Sequence, residues 1–119
     1  MDLGIRGKKA IVCASSRGLG KGCAMALAEA GCELTVNGRD AEILARTAQE
    51  LRDRYGVRVT EVPGDVADPA VQKKLLAACP EPDILVNNNG GPPFRPFSEL
   101  DREAILKGVT NNMVAPLEL

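Results

Sequence analysis

Histidine and tryptophan are absent from this 119-residue chain, and its aromatic residues are one tyrosine and two phenylalanines. Four cysteines, Cys13, Cys23, Cys32 and Cys79, form no C-x-x-C pair, so with no histidine beside them the ligand spacing of a zinc site is missing. They read instead as small buried apolar residues in a reducing compartment. No apolar stretch approaches the ~18 residues of a membrane span. After Lys8 and Lys9 the apolar run Ala10 to Ala14 has the length of a strand, not of a signal-peptide core. A cytoplasmic protein is the expectation. The formal net charge is -1, so nothing favours nucleic acid or an anionic membrane as partner. Repeats of solenoid period and low-complexity linkers are also missing.

What is present suits one soluble domain: 45% hydrophobic and 26% charged residues. Short apolar runs alternate with helical stretches. Strands are expected at Lys9 to Ala14, Glu33 to Asn37, Val57 to Val62 and Asp83 to Asn87. Between them, Leu19 to Ala30 presents Leu19, Cys23, Ala26, Leu27 and Ala30 along one helix face, with Gly31 as its stop. Asp40 caps a second helix striped by Leu44, Ala48, Leu51 and Tyr55 and ended by Gly56. Asp68-Pro69 starts a third helix that stops before Pro80. A Gly- and Pro-rich loop, Asn88 to Phe97, leads to a last helix that begins near Ser98 to Asp101 and runs through Ile105, Val109 and Met113. The order βαβαβαβα predicts an α/β fold with a parallel sheet covered by helices. It is the first half of a Rossmann-type doubly wound sheet, with strand order 3-2-1-4.

The first strand–helix turn reads Cys13-Ala14-Ser15-Ser16-Arg17-Gly18-Leu19-Gly20. A phosphate-binding turn must bend sharply, point its amides outward and carry no side chain that blocks approach. Gly18 and Gly20 meet the last two needs, and Ser15 and Ser16 add hydroxyl donors. Small residues here also serve packing alone. An NAD-selective fold places an acid at the tip of the second strand, to accept from the ribose 2′-hydroxyl and repel a 2′-phosphate. Here the strand ends Thr35-Val36-Asn37-Gly38-Arg39, with no acid at that tip. Arg39 and Arg17 can each bind a phosphate bidentately, which favours NADP(H). The alternative for Arg39 is a solvated charge paired with Asp40.

The turn resembles the T-G-x-x-x-G-x-G segment of the short-chain dehydrogenase/reductase family, 3-oxoacyl reductases among them, with Cys13 and Ala14 in place of Thr and the first Gly. Asp65-Val66 resembles the family's D-V pair, and Asn87-Asn88-Asn89-Gly90 its N-N-A-G, with Asn89 replacing alanine. Asn111-Asn112-Met113 is similar to its V-N-L. The resemblance covers essentially the whole chain but about half of a typical member. It implies a cofactor site of Ser15, Ser16, Arg17, Gly18, Leu19, Gly20, Arg39, Asp65, Val66, Asn88, Asn89 and Gly90. Within that site Asp65 bonds the adenine amino group, Val66 supports it, and the asparagine stretch lines the adenosine ribose. In the catalytic proton relay it implies Asn112, chosen over Asn111. Asparagine is an indifferent helix former, and Pro116 would perturb the helix ladder.

The family's hydride transfer also needs a serine and a Tyr-x-x-x-Lys pair. The sole tyrosine, Tyr55, has Val59 four residues on, and no serine follows Ser98. The expectation is therefore residues 1–119 as the N-terminal part of one NADP(H)-binding domain, without the C-terminal part that carries Tyr and Lys. Its partners would be a small carbonyl or alcohol substrate, a second chain bearing the remainder, and further copies in a homo-oligomer. Without a fifth strand the Asp83–Asn87 edge would be unpaired, which invites association. Phe94, Arg95 and Phe97 border the expected active site, as substrate contacts or as loop packing. A non-catalytic nucleotide-binding or assembly module is the alternative. An adenosylmethionine-dependent transferase shares the fold class but gives no reason for two phosphate-facing arginines.

Overall fold

Four short strands alternate with helices because apolar runs of strand length are separated by capped amphipathic segments. A computed structural model describes residues 2–90 and 95–119. In chain order these hold β1 (Lys9–Val12), α1 (Gly18–Glu29), β2 (Glu33–Gly38), α2 (Ala41–Tyr55), β3 (Val59–Pro63), α3 (Pro69–Ala78), β4 (Ile84–Val86) and α4 (Arg102–Val109). A π-helical turn, Thr110–Val114, then leads into the short α5 (Ala115–Glu118). The sheet is parallel with order β3-β2-β1-β4, as the βα alternation predicts. Gly91, Pro92, Pro93 and Phe94 lie outside the described residues, and with them the expected role of Phe94.

Both faces of the sheet are covered, and the period-two alternation of β1 shows how. Ala10 and Val12 pack with Ala24, Ala28, Leu44, Ala48 and Leu51 under α1 and α2. Ile11 and Cys13 pack on the other side with Val66, Val71, Leu75 and Cys79 under α3. A parallel strand covered on both faces reads as a continuous apolar run, which is why KAIV is apolar beyond its lysine. β4 pairs with β1 on one edge and has no strand on its other edge among the described residues, and Leu85 is 38% exposed.

Helix boundaries follow their caps. The Asp40 carboxylate accepts from the backbone N–H groups of Glu42 and Ile43, and Asp68 accepts from Ala70 with Pro69 in the first turn. Gly56 closes α2 in the left-handed conformation, φ 66°. The last helix is interrupted rather than continuous. Pro116 has no N–H, and its ring excludes the carbonyl four residues back, so the chain widens over Thr110–Val114. The cap of α4 is Asp101, which accepts from Ala104, and the segment Phe97–Glu99 is a separate 3-10 turn.

One expected helix face holds only in part, at Leu27. Leu19 is 86% exposed and Cys23 is exposed; the residues of α1 that meet the sheet are Gly20, Ala24 and Ala28. The stripe Leu19, Cys23, Ala26, Leu27, Ala30 was chosen by hydrophobicity. The fully buried line is chosen by closeness to the turn and β1, where small side chains fit, while Met25 and Leu27 pack partly buried against the same core. Cys23 is thus also an exception to the expectation of four buried cysteines. Among the described residues no helix is long and apolar enough to cross a membrane.

Candidate functional site at the C-terminal edge of the sheet

The strands β1, β2, β3 and β4 all end at one edge, where a cavity of about 360 Å³ opens. Its walls include Ala14, Ser16 and Arg17 from the first turn, and Gly38, Arg39 and Asp40 after β2. Gly64 and Val66 follow β3, and Asn88, Asn89 and Gly90 follow β4. Ligands of open α/β sheets bind at this edge, beside the point where strand order reverses. The reversal here is between β1 and β4, which lie together although β2 and β3 separate them in sequence.

Of the residues singled out in the sequence, Ser16, Arg17, Arg39, Val66, Asn88, Asn89 and Gly90 are brought together on this wall. Ser15, Gly18, Leu19, Gly20, Asp65 and Asn112 are not lining residues. Ser15 is fully buried, and its hydroxyl donates to the Val12 carbonyl at 2.8 Å, so it is not the outward donor expected of it. Asp65 accepts from the Ala67 N–H at 2.9 Å, closing the turn after β3. Gly18, Leu19 and Gly20 form the first turn of α1, which has no side-chain cap and no acid. Unpaired amides at such a helix start favour an anion.

Gly20 permits the closest approach in the site. A Cβ there would overlap the Ala14 carbonyl oxygen and stand 2.8 Å from Asn88 Nδ2. Gly38 does the same for Ser16, whose Oγ lies 2.7 Å from the place of a Cβ. The Thr47 hydroxyl, on α2, donates to the Ser16 carbonyl at 2.5 Å and fixes the turn from behind. Among the described residues the ion pairs are Lys21–Glu50 and Arg52–Glu61, so neither Arg17 nor Arg39 is spent on one. Asp40 also lines the cavity, but its carboxylate is engaged in capping α2, and it makes no ion pair with Arg39.

Three residues at the site escaped sequence reading. Asn37 is buried and bonded to both the first turn and the end of β3. Thr47 interrupts an apolar stripe, and Gly64 sits at φ 133°, where a Cβ would strike Val71. A polar residue within an apolar strand or stripe was the available signal for the first two. After β4, Asn89 Nδ2 donates to the Asn111 carbonyl at 3.2 Å, and Asn112 Nδ2 donates to the carbonyls of Gly90 and Gly108 at 3.3 and 3.1 Å. These bonds tie the loop after β4 to the π-helical turn. Tyr55 packs against the core on α2, with the Arg54 guanidinium 5.3 Å over its ring, and does not line the cavity.

The cysteines differ in chemistry. Burial pushes the Cys13 thiol up to about 11, partly offset by a hydrogen bond from the Asn88 backbone. Burial, and then the negative charge of Asp83, raise Cys32 as well. Cys23 is exposed. Iodoacetamide at neutral pH is therefore expected to label Cys23 well before Cys13, read by peptide mass mapping. A raised thiol pKa means that the folded state holds the proton more tightly. Its contribution is complete below the ordinary thiol range of about 9 and is lost as pH rises through about 11. Urea melts should lose on the order of 2 kcal/mol over that interval beyond the loss shown by Cys13→Ala.

A parallel half-sheet with this order, and a glycine-lined cavity at its C-terminal edge, define a Rossmann-type nucleotide-binding class. Residues 8–119 match the family model described as short chain dehydrogenase, and the chain belongs to that family. It is 30% identical to the L-xylulose reductase of Cavia porcellus, over all of this chain and 47% of that protein. It is 38% identical over 91 residues to an uncharacterized oxidoreductase of Bacillus subtilis, which covers 76% of this chain and 34% of that protein. Among solved structures, the L-sorbose reductase of Gluconobacter frateurii, complexed with NADPH and L-sorbose, superposes with a TM-score of 0.91 at 33% identity. That match covers all of this chain and 47% of the other. The chain thus spans about half the length, or less, of these relatives.

Proposed function

We propose that this chain is the NADP(H)-binding half of an oxidoreductase that reduces a carbonyl or oxidises an alcohol. The observation that carries the reading is the convergence of two guanidiniums, Arg17 and Arg39, that make no ion pair among the described residues, on one glycine-walled cavity beside an uncapped helix start. Arg39, with Arg17, holds the 2′-phosphate. The amides of Gly18, Leu19 and Gly20, with the Ser16 hydroxyl, face the pyrophosphate. Val66 and Asp65 border the adenine, and Asn88, Asn89 and Gly90 the ribose. Ser15 contributes from behind, by holding the turn. The L-sorbose reductase to which the chain is similar was solved with NADPH, which fits this choice of cofactor.

The cavity suits the adenosine end of the cofactor in volume and in its glycine cradle. When bound, the nicotinamide supplies or accepts the hydride. This chain's residues bind and orient, and Asn112 is assigned to the proton relay. A further segment or second chain bearing the Tyr-x-x-x-Lys pair would pair with β4, and the complete protein would form a homo-oligomer. Four free cysteines fit a reducing, cytoplasmic setting. The alternative, a nucleotide-binding module without chemistry, rests on the placement of Tyr55 away from the cavity.

The test is a titration of the chain with NADPH and with NADH, followed by calorimetry. NADPH is expected to bind at least about tenfold more tightly at low salt, since its additional 2′-phosphate meets two guanidiniums. Equal affinities would refute the assignment of Arg17 and Arg39. Carbonyl-dependent NADPH oxidation by the complete protein separates the enzyme from the binding module.

A further inference from the structure

Ala14 stands at φ 47°, in the left-handed region that disfavours a residue with a Cβ. Two asparagines grip its peptide groups. Its N–H donates to Asn37 Oδ1 at 3.0 Å, and its carbonyl accepts from Asn88 Nδ2 at 3.3 Å. Asn37 is 1% exposed, and its orientation is determined by what surrounds it. Its Nδ2 donates to the carbonyls of Val62 and Gly64, each at 3.0 Å. Turning the amide over would set Nδ2 against the Ala14 N–H and Oδ1 against two carbonyls. Its backbone closes the arrangement: Asn37 N–H donates to Ser15 Oγ at 3.1 Å, and its carbonyl accepts from Ser15 N–H at 2.6 Å.

We infer that Asn37 is a positioning residue for nucleotide binding: its side-chain amide, rather than a glycine, sets the left-handed bend of the first turn. The inference rests on the nucleotide reading of the cavity given above. An alanine released from the clamp relaxes toward its ordinary backbone regions, which swings the peptides after it. Ser16 and Arg17 follow Ala14 directly, and both line the cavity. The same amide ties Gly64 to the turn, so the walls after β1 and β3 move as one body. Asn37 itself borders the cavity, but with 1% of its surface exposed and its amide engaged by Ala14, Val62 and Gly64 it acts through Ala14.

The experiment is a double-mutant cycle of Asn37→Ser and Ala14→Gly in the full chain, reading NADPH affinity and thermal stability together. Asn37→Ser alone is expected to weaken NADPH by about tenfold or more, and Ala14→Gly, itself a wall residue, is the background against which the double variant is read. The double variant should return to within about threefold of Ala14→Gly, because glycine adopts the bend unaided. Its melting temperature should stay low, because the Val62 and Gly64 carbonyls still lack their donor. Affinity rescued without stability is the signature of positioning. An equal loss of affinity from Asn37→Ser in both backgrounds overturns the inference.

Should Asn37→Ser not fold, native-state hydrogen exchange at the Ala14 amide of the unaltered chain decides. Protection of about 100-fold or more supports the clamp, and exchange at the unprotected rate overturns it. A chain that fails to bind NADPH yet protects this amide contradicts the nucleotide reading while leaving the clamp intact, so the two failures are distinguishable.

Discussion

Gly20→Ala is expected to destabilise the chain by about 3 kcal/mol, at the upper end of overpacking costs, and Gly22→Ala, two residues along the same helix, to stabilise it. The added methyl at Gly20 would overlap the Ala14 carbonyl oxygen and crowd the Ala14 carbonyl carbon and Asn88 Nδ2, each 2.8 Å away. The first two of these are backbone atoms, and they belong to a residue already held left-handed, so relief requires α1 to lift or the turn to open. For a chain of this size the loss corresponds to a fall of roughly 10 °C in Tm. Lifting α1 also moves the amides of Gly18 and Leu19, so NADPH affinity should fall with stability. At Gly22 a Cβ meets nothing within 4 Å. There the change only removes backbone freedom from the unfolded chain and adds about 0.5–1 kcal/mol. Thermal and urea melts of the two variants read both signs. Equal melting of Gly20→Ala and the unaltered chain would mean that α1 does not approach β1 this closely.

Arg39→Ala should weaken NADPH by roughly 30-fold and change NADH by less than about threefold. A charge-assisted contact to a phosphate contributes about 2 kcal/mol, and each 1.4 kcal/mol is about tenfold in affinity. Arg39 is well placed for that contact. It lines the cavity, makes no ion pair among the described residues, and lies 3.7 Å from where a Cβ of Gly90 would stand. NADH has no 2′-phosphate, so its binding reports whether the substitution damages the cavity generally. Arg39→Lys should recover part of the loss, as a point charge without the planar fork. Preference for NADPH should also shrink with added salt. Equal losses for both nucleotides would show that Arg39 supports the wall and does not select the cofactor.

Much of the fold was legible in the residues alone. Asp40, Gly56 and the Asp68-Pro69 pair mark helix ends by local chemistry, and the structure places caps at all of them. Apolar runs separated by helices imply a parallel sheet, whose crossover rule leaves few strand orders. The arginines after β1 and β2 and the asparagines after β4 fall on one wall because each follows a strand end. Sequence determined these features because each depends on neighbours along the chain.

Tertiary structure decided what depends on distance between segments. The buried face of α1 is Gly20, Ala24 and Ala28, since the gap to β1 rewards small size, whereas periodicity ranks residues by hydrophobicity. The hydroxyl of Ser15 turns inward because Val12 and Asn37 offer buried partners there. Ala14 can take a glycine's conformation only because an asparagine distant in sequence reaches its amide. Such hydrogen bonds join groups that no local pattern relates, and they form only once packing has brought the strand ends together.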